Sequence, residues 1–368
     1  MIFYKDNSVV DYHPDGLKSF RIAWLFPHFD IASDPAYRLR RYLVSGDLSR
    51  VHILDPIKST NNVNIVSTNV VSGEKVFYPG KAYNDTSYLK KCPNFVDYLT
   101  ENFDAIVFFN VDEEDSVLCK TLSERGKICI FDHSENIFGL GFEDAIMRSS
   151  SAITCCSVRL AENTDIYLKN KGMDKKIFII RDPIERGVEV KSSFKKEFYR
   201  RQRGTNRAII MGGVGPVSSV SDFLYDICKK ANYDFVALSD IKYEAPYETH
   251  QWTPYSWVDT MLNCDVALCA QDVNRFPAKS NVKATTAMSI GLPVIASSTM
   301  AYQEAIKHGK TGFIASTEEE WVSCLEKLKD PWVRTSIGNE GMYSAHFQYS
   351  LRKIIDLYIN MISGLMEE

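Results

Sequence analysis

No stretch of the 368 residues approaches the roughly 18 uninterrupted apolar positions that a bilayer span needs. The opening MIFYKDNSVVDYHPDG also lacks the apolar centre of a secretory leader, so a soluble, cytoplasmic chain is expected. The nine cysteines (92, 119, 129, 155, 156, 228, 264, 269 and 324) form no CxxC pair and have no histidine at zinc-like spacing. Most sit in apolar runs such as KICIF and CDVALC, and read as buried, reduced thiols. Charge of one sign is also lacking: 43 Lys and Arg against 47 Asp and Glu leave a net −4, which excludes a uniformly basic coat for a polyanion. The glycine run MGGVGPVSS (211–219) has neither GxGxxG spacing nor a following acidic ribose ligand. It reads instead as a tight turn that lets backbone at Gly213 approach a ligand or a facing domain. The acidic run DEED (112–115) opens a helix, where carboxylates complement the dipole, and is not read as a metal site.

What is present is an alternation of short apolar runs and amphipathic stretches, the pattern of βαβ units around a parallel sheet. The first cycle has strands at RIAWLF (21–26), VHIL (51–54), AIVFFN (105–110), KICIFD (127–132) and AITC (152–155). Helices are expected over 35–43, 92–101, 113–125 and 142–147. A second cycle follows IFIIRDPIE (177–185), with strands AIIMGG, YDFVALS, DVALCA and PVIAS and helices over 217–230, 255–263 and 282–290. Two cycles at this length imply two domains. The boundary falls near Pro183, giving domains at 1–182 and 183–345 and a terminal segment at 346–368. YSLRKIIDLYINMISGLM, at the end, reads as one long amphipathic helix. Between the cycles, KSSFKKEFYRRQRGTNR (191–207) reads as an exposed helix or linker.

Chemistry concentrates in RFPAKSNVKATTAMSIGLPVIASSTMAYQEAIKHGKTGFI (275–314). It reads as a loop, a helix from about Asn281, a Gly-Leu-Pro turn and a strand. Open α/β sheets bind ligands at the carboxyl ends of their strands, where helix N-termini offer unpaired N–H groups to anions. Arg275, Lys279, Ser280, Asn281 and Lys283 crowd into that position, so a diphosphate there would meet backbone donors, a hydroxyl and cations together. In the first cycle, FPHFDIASDPAYRLRRYL (26–43) places His28, Asp30 and Ser33 after a strand, and FDHSENIFG (131–139) does the same for Asp132, His133, Ser134 and Glu135.

KSxxKxxxAMxxGLPVIAS followed by AYxEAIKHGKTGFI resembles the donor-binding half of retaining GT-B glycosyltransferases (group 1, family 4-like). HQWTPYSWVDTMLNCDVALCAQD, IFIIRDPIE and SAITCCSVRLAENT carry the resemblance upstream, over about residues 104 to 350. It implies an α/β GT-B fold, two Rossmann-like domains facing a cleft, with a C-terminal helix crossing back to the N-terminal acceptor domain. It further implies a nucleotide-sugar donor, a UDP-sugar foremost, with Lys279, Ser280, Asn281 and Lys283 on the diphosphate or sugar. Trp252, Thr253 or Pro254 would face the nucleobase, Gly213 would bring backbone to the donor, and His133, with Asp132 and His28, would lie on the sugar and acceptor side. Ala278 and Thr286 stand where many relatives have a glutamate pair, which leaves Thr286 as a neutral partner for the ribose. The usual Arg and Lys after the first strand of the donor domain are missing too, a charge that Arg275, Lys279 and Lys283 would replace without a metal.

The implied reaction is hexosyl or pentosyl transfer with retention. The acceptor is an envelope glycan, a lipid-linked saccharide or a hydroxymethylated base in phage DNA. Lys191 to Arg207 would give peripheral contact with anionic membrane or nucleic acid. Alternatives are a non-catalytic GT-B-like nucleotide- or glycan-binding module, a sugar epimerase, or a phosphorylase, the last opposed by chain length and the lack of a cofactor-lysine motif.

Overall fold

The structure, a computed structural model, describes residues 21–25, 64–69, 77–79, 95–109, 111, 113–134, 138–184, 204–253, 256–271 and 279–368. The expected helix at 35–43 and strand at 51–54, together with His28, Arg275, Pro254 and the basic stretch 191–203, lie outside the described residues. The chain divides into two compact units, Met1–Arg181 with Arg352–Glu368, and Asp182–Leu351.

In the first unit, strands β1 (Arg21–Leu25), β2 (Asn64–Asn69), β3 (Phe77–Pro79), β4 (Ala105–Phe108), β5 (Ile128–His133), β6 (Ala152–Cys155) and β7 (Lys176–Ile179) form one sheet in the order β3-β2-β1-β4-β5-β6-β7. Helices α1 (Phe95–Asn102), α2 (Glu113–Glu124), α3 (Gly141–Ser149) and α4 (Val158–Asn170) connect its parallel part. The unbroken apolar runs have a simple cause: Ala105–Phe108 and Ala152–Cys155 are buried along their whole length, as strands covered on both faces must be. The sheet departs from an all-parallel reading at one edge, where β2 pairs antiparallel with β1 and β3 with β2. NIVSTN and FYP contain too few apolar positions to announce strands in the sequence.

The second unit is a six-stranded, wholly parallel sheet. Its elements are β8 (Arg207–Gly212), α5 (Val214–Lys230), β9 (Asp234–Ser239), β10 (Glu248–Gln251), α6 (Trp257–Leu262), β11 (Val266–Cys269), α7 (Val282–Ser289), β12 (Val294–Ser297), α8 (Met300–Ala305), β13 (Phe313–Ala315), α9 (Glu318–Leu328) and α10 (Pro331–Tyr349). Strand order is β10-β9-β8-β11-β12-β13: the chain begins in the middle, builds outward to β10, then returns and builds the other way from β11. Alternate residues of each strand supply two apolar layers. Ile209, Val236, Leu238 and Ala267 pack with α6 and α7, while Ala208, Ile210, Phe235 and Leu268 pack with α5 and α9. At the opposite end of the sheet, buried Asp265 closes the β8–β11 pair: its carboxylate accepts from the Arg207 N–H at 2.9 Å, and its own N–H donates to the Arg207 carbonyl at 2.8 Å.

The C-terminal stretch read as one helix is one, Leu351–Met366, and a further helix precedes it. Asp330 caps α10 through Trp332 N–H (2.7 Å) with Pro331 in the first turn, the helix ends at Tyr349, and Ser350 turns to an extended conformation (φ −59°, ψ 144°) before α11 (Leu351–Met366). Glycines let α10 sit close to its neighbours. A Cβ at Gly338 would overlap the Gly291 carbonyl oxygen, and one at Gly341 would lie 2.8 Å from the Thr311 carbonyl oxygen. Gly291 itself ends α7 in the left-handed region at φ 68°, with its N–H on Met288 O and the Leu292 N–H on Ala287 O. Gly338→Ala is therefore expected to cost about 1–3 kcal/mol in denaturant unfolding, because backbone must move to admit the methyl. Gly364→Ala on α11, with nothing within 4 Å, is expected to gain about 0.5–1 kcal/mol by helix propensity alone.

Candidate anion site at the strand-order reversal

Strand order in the second unit reverses between β8 and β11, and an open sheet has its natural crevice there, at the carboxyl ends of the two strands. Gly212 ends β8 and Cys269 ends β11. Lys283, the second residue of α7, reaches this point: a Cβ built on Gly212 would lie 2.7 Å from Lys283 Nζ and 2.9 Å from Cε. The missing side chain at 212 is what gives the amine its place. Among the described residues no hydrogen-bond or ion-pair partner meets that amine. Its pKa lies below the ordinary lysine value, chiefly because burial disfavours the charge; Cys269 opposes the shift, and the neighbouring Lys279 charge adds to it. Cys269 does not serve as a counter-ion near neutral pH, because burial pushes its thiol up to about 12. A sheltered ammonium without a carboxylate is costly unless an anion completes it.

Two helices begin at this edge of the sheet, and they differ. The N-terminus of α5 is occupied, since the Val214 N–H donates to Asp240 Oδ1 at 2.6 Å. The N-terminus of α7 receives no side-chain cap. Asn281, which precedes the helix, is 2% exposed and turns its amide inward, donating to Ala301 O at 3.2 Å and to Tyr349 Oη at 2.9 Å. Among the described residues the first-turn N–H groups of α7 thus meet no side-chain acceptor, and they stand beside an ammonium that meets no partner there either. Exposed Lys279 and half-buried Ser280 lead into the same turn.

No protein-family model and no curated protein matches the sequence. Solved structures do. Anabaena Alr3699/HepE in complex with UDP superposes over 78% of this chain and 86% of its own, with a TM-score of 0.59 at 14% identity. HepE in complex with UDP-glucose gives 0.58 at 13% over the same shares. A glycosyltransferase from Rickettsia africae covers 80% of this chain and 85% of its own, with a TM-score of 0.60 at 11% identity. The fold is that of the GT-B glycosyltransferases.

On this GT-B chain, the remaining candidates of the second unit lie at the same edge of its sheet. Gly213 opens α5. Trp252 follows β10, its N–H on the Ser239 carbonyl at 2.6 Å and its ring partly buried against the α6–α7 layer. The Thr253 hydroxyl bonds Ser256 Oγ at 2.6 Å and accepts from the Ser256 N–H at 3.1 Å, closing the turn into α6. Thr286 is buried within α7.

In the first unit Asp132 and His133 stand at the carboxyl end of β5, but the structure does not bring their side chains together. The strand extends through His133, so the two point to opposite faces. Asp132, 1% exposed, accepts from Tyr358 Oη of α11 at 3.2 Å. His133, 2% exposed, packs between the rings of Phe131 (5.3 Å) and Phe138 (5.2 Å), and Phe138 stacks on Tyr167 at 4.7 Å. Among the described residues no group of three or more His, Cys, Asp or Glu gathers as a metal site, and no helix is long and apolar enough to cross a membrane.

Gly212 and Asp240 were not singled out by sequence. Gly212 was visible as a turn glycine, but its contact is made by a residue 71 positions later (283 − 212). Asp240 is one acid after a strand, with no local signal of its cap.

Lys283 sets a stability test with a definite sign. Its folded pKa lies below its unfolded one, so the fold is penalised while the amine is charged, and the penalty fades as pH rises through the folded value. Lys283→Met is expected to raise the melting temperature at neutral pH and to narrow its advantage as pH rises toward the ordinary lysine value. A melting curve lowered at every pH would contradict an unpaired ammonium here.

Proposed function

We propose that this chain is a glycosyltransferase that holds a nucleotide-sugar donor, a UDP-sugar foremost, at the carboxyl edge of its second sheet. The observation that carries the reading is the Lys283 ammonium, which meets no partner among the described residues, beside a first turn of α7 that Asn281 does not cap. A diphosphate matches both, as its two negative groups accept from backbone N–H groups and neutralise the amine. The UDP and UDP-glucose complexes of HepE, on the same fold, support this choice of donor.

Glycosyl transfer needs negative charge stabilised on the departing diphosphate as the glycosidic bond lengthens. Lys283 is suited to this because it is fixed against Gly212 and shielded, so its charge acts in a low-dielectric setting. Lys279 adds a second cation and Ser280 a hydroxyl at the same turn, and with Arg275, assigned from the sequence, this set would take the role that a divalent ion has elsewhere. Asn281 acts differently from a ligand: its amide is committed inward and it serves by placing the turn. Trp252 and Thr253, after β10, are placed for the base, and Thr286 for the ribose. With no carboxylate nucleophile assigned, we favour front-face transfer with retention, the leaving phosphate taking the acceptor proton. We assign His133, Asp132 and His28 to the sugar and acceptor side, His133 and Asp132 from opposite faces of β5, and the acceptor class we favour is a saccharide, free or lipid-linked. DNA bases remain the competing class, and a hexose or pentose the transferred group.

Thermal-shift titration with UDP, GDP, ADP and CMP and their sugars tests the donor. UDP is expected to raise the melting temperature with its concentration, by the mass action of a ligand that binds only the folded state. Turnover of the responding sugar nucleotide is expected to fall about 10²-fold or more in Lys283→Ala, and by less in the exposed Lys279→Ala. Unchanged turnover in both variants would remove the donor site from this edge. Nucleotide binding without hydrolysis or transfer to any saccharide would favour the non-catalytic module.

A further inference from the structure

The first turn of α7 is held from behind by α10, and the manner of holding extends to both places where the chain passes between its units. Asn281 is committed to two acceptors in the protein interior, one of them the hydroxyl of Tyr349, the last residue of α10. Tyr349 is 1% exposed and belongs to the same apolar layer as Ala284, Ala287 and Met288 of α7. The other end of α7 meets the same helix, for Nε2–H of His346 donates to the Ser289 carbonyl at 2.9 Å. Helix α10 therefore grips α7 at both ends, across a contact close enough to require Gly338 and Gly341.

The backbone of Tyr349 has a second engagement. Its carbonyl accepts from the Ile184 N–H at 2.8 Å. The chain passes from the first unit to the second after Arg181, and back after Leu351. Ile184 and Tyr349 thus belong to the two connecting segments, and they are bonded to each other. A single residue consequently touches the outgoing segment through its position, the incoming segment through its carbonyl, and the N-cap of α7 through its hydroxyl.

We propose that Tyr349 is a positioning residue for the anion site, its hydroxyl fixing Asn281 and with it the first turn of α7 and Lys283, while its backbone joins that turn to both connecting segments. This builds on the donor reading, because the turn it places is the one assigned to the diphosphate. Removing only the hydroxyl leaves the ring in the apolar layer and frees the Asn281 amide to turn. The Thr285 N–H, which donates to the Asn281 carbonyl at 3.0 Å, reports on that turn directly.

Hydrogen exchange in the ligand-free protein tests the positioning apart from the donor. Tyr349→Phe is expected to speed exchange locally, in peptides covering 281–286. Asn281→Ala, which removes the same bond from its other side, is expected to do likewise should the tyrosine variant fold poorly. Tyr233→Phe is the control, since it deletes another buried hydroxyl of the same unit, bonded to Leu325 O at 3.0 Å, and should leave 281–286 unchanged. In UDP titrations Tyr349→Phe should weaken binding about fivefold, the equivalent of one neutral hydrogen bond. The donor KM should rise while kcat stays within about twofold. Unchanged exchange at 281–286 in both variants, or faster exchange spread evenly over the second unit, would overturn the proposal. Should the wild type take up no nucleotide, the donor reading fails alone, and the ligand-free exchange still decides the role of Tyr349.

Discussion

The contact between the Lys283 amine and the bare backbone of Gly212 organises the chemistry of this protein. A lysine at this depth normally finds a carboxylate, and here its neighbours are a thiol held protonated by burial and a second lysine. Among the described residues neither compensates the charge, so burial sets a local electrostatic cost that a bound anion would relieve. Such a cost is retained where a ligand supplies the missing partner, which is why the amine marks a site more sharply than the surface lysines around it.

The sheet makes that contact inevitable. Because the chain starts at β8 in the middle and resumes at β11 beside it, the strand order reverses between them, the point at which an open sheet has a crevice at its carboxyl edge. Two helix N-termini meet there, and the fold treats them oppositely. Asp240 fills the first, through Val214. The second is left open because Asn281, a residue well suited to capping, is drawn inward by Ala301 and Tyr349 instead. The difference between a capped helix start and an uncapped one thus lies in where two side chains turn.

Local residue pattern made much of this legible. The burial of entire strands on both faces produced runs such as AIVF and AITC, so the alternation of elements could be read in both halves. Where a strand holds few apolar residues the reading thinned: the polar ETHQ of β10, NIVSTN of β2 and FYP of β3 gave no apolar run to follow. Helix α10 was also missed, because PWVRTSIGNEGMYSAHFQY carries no apolar stripe at helical spacing, whereas α11 was read from its amphipathic pattern.

Sequence alone determined the α/β class, the two cycles and the cluster of Lys279, Ser280, Asn281 and Lys283 at one helix start, since each depends on residues near one another in the chain. It placed Asp132 and His133 together for the same reason, adjacency, and strand geometry then sent them to opposite faces. Tertiary structure decided which member of the cluster is a bare cation and which is a tether. Lys283 and Asn281 are equally polar in sequence, but the first lies against a glycine 71 positions earlier (283 − 212) and the second against a tyrosine 68 positions later (349 − 281). Contacts over such separations are set by how helices pack on the sheet, and no spacing within the motif encodes them.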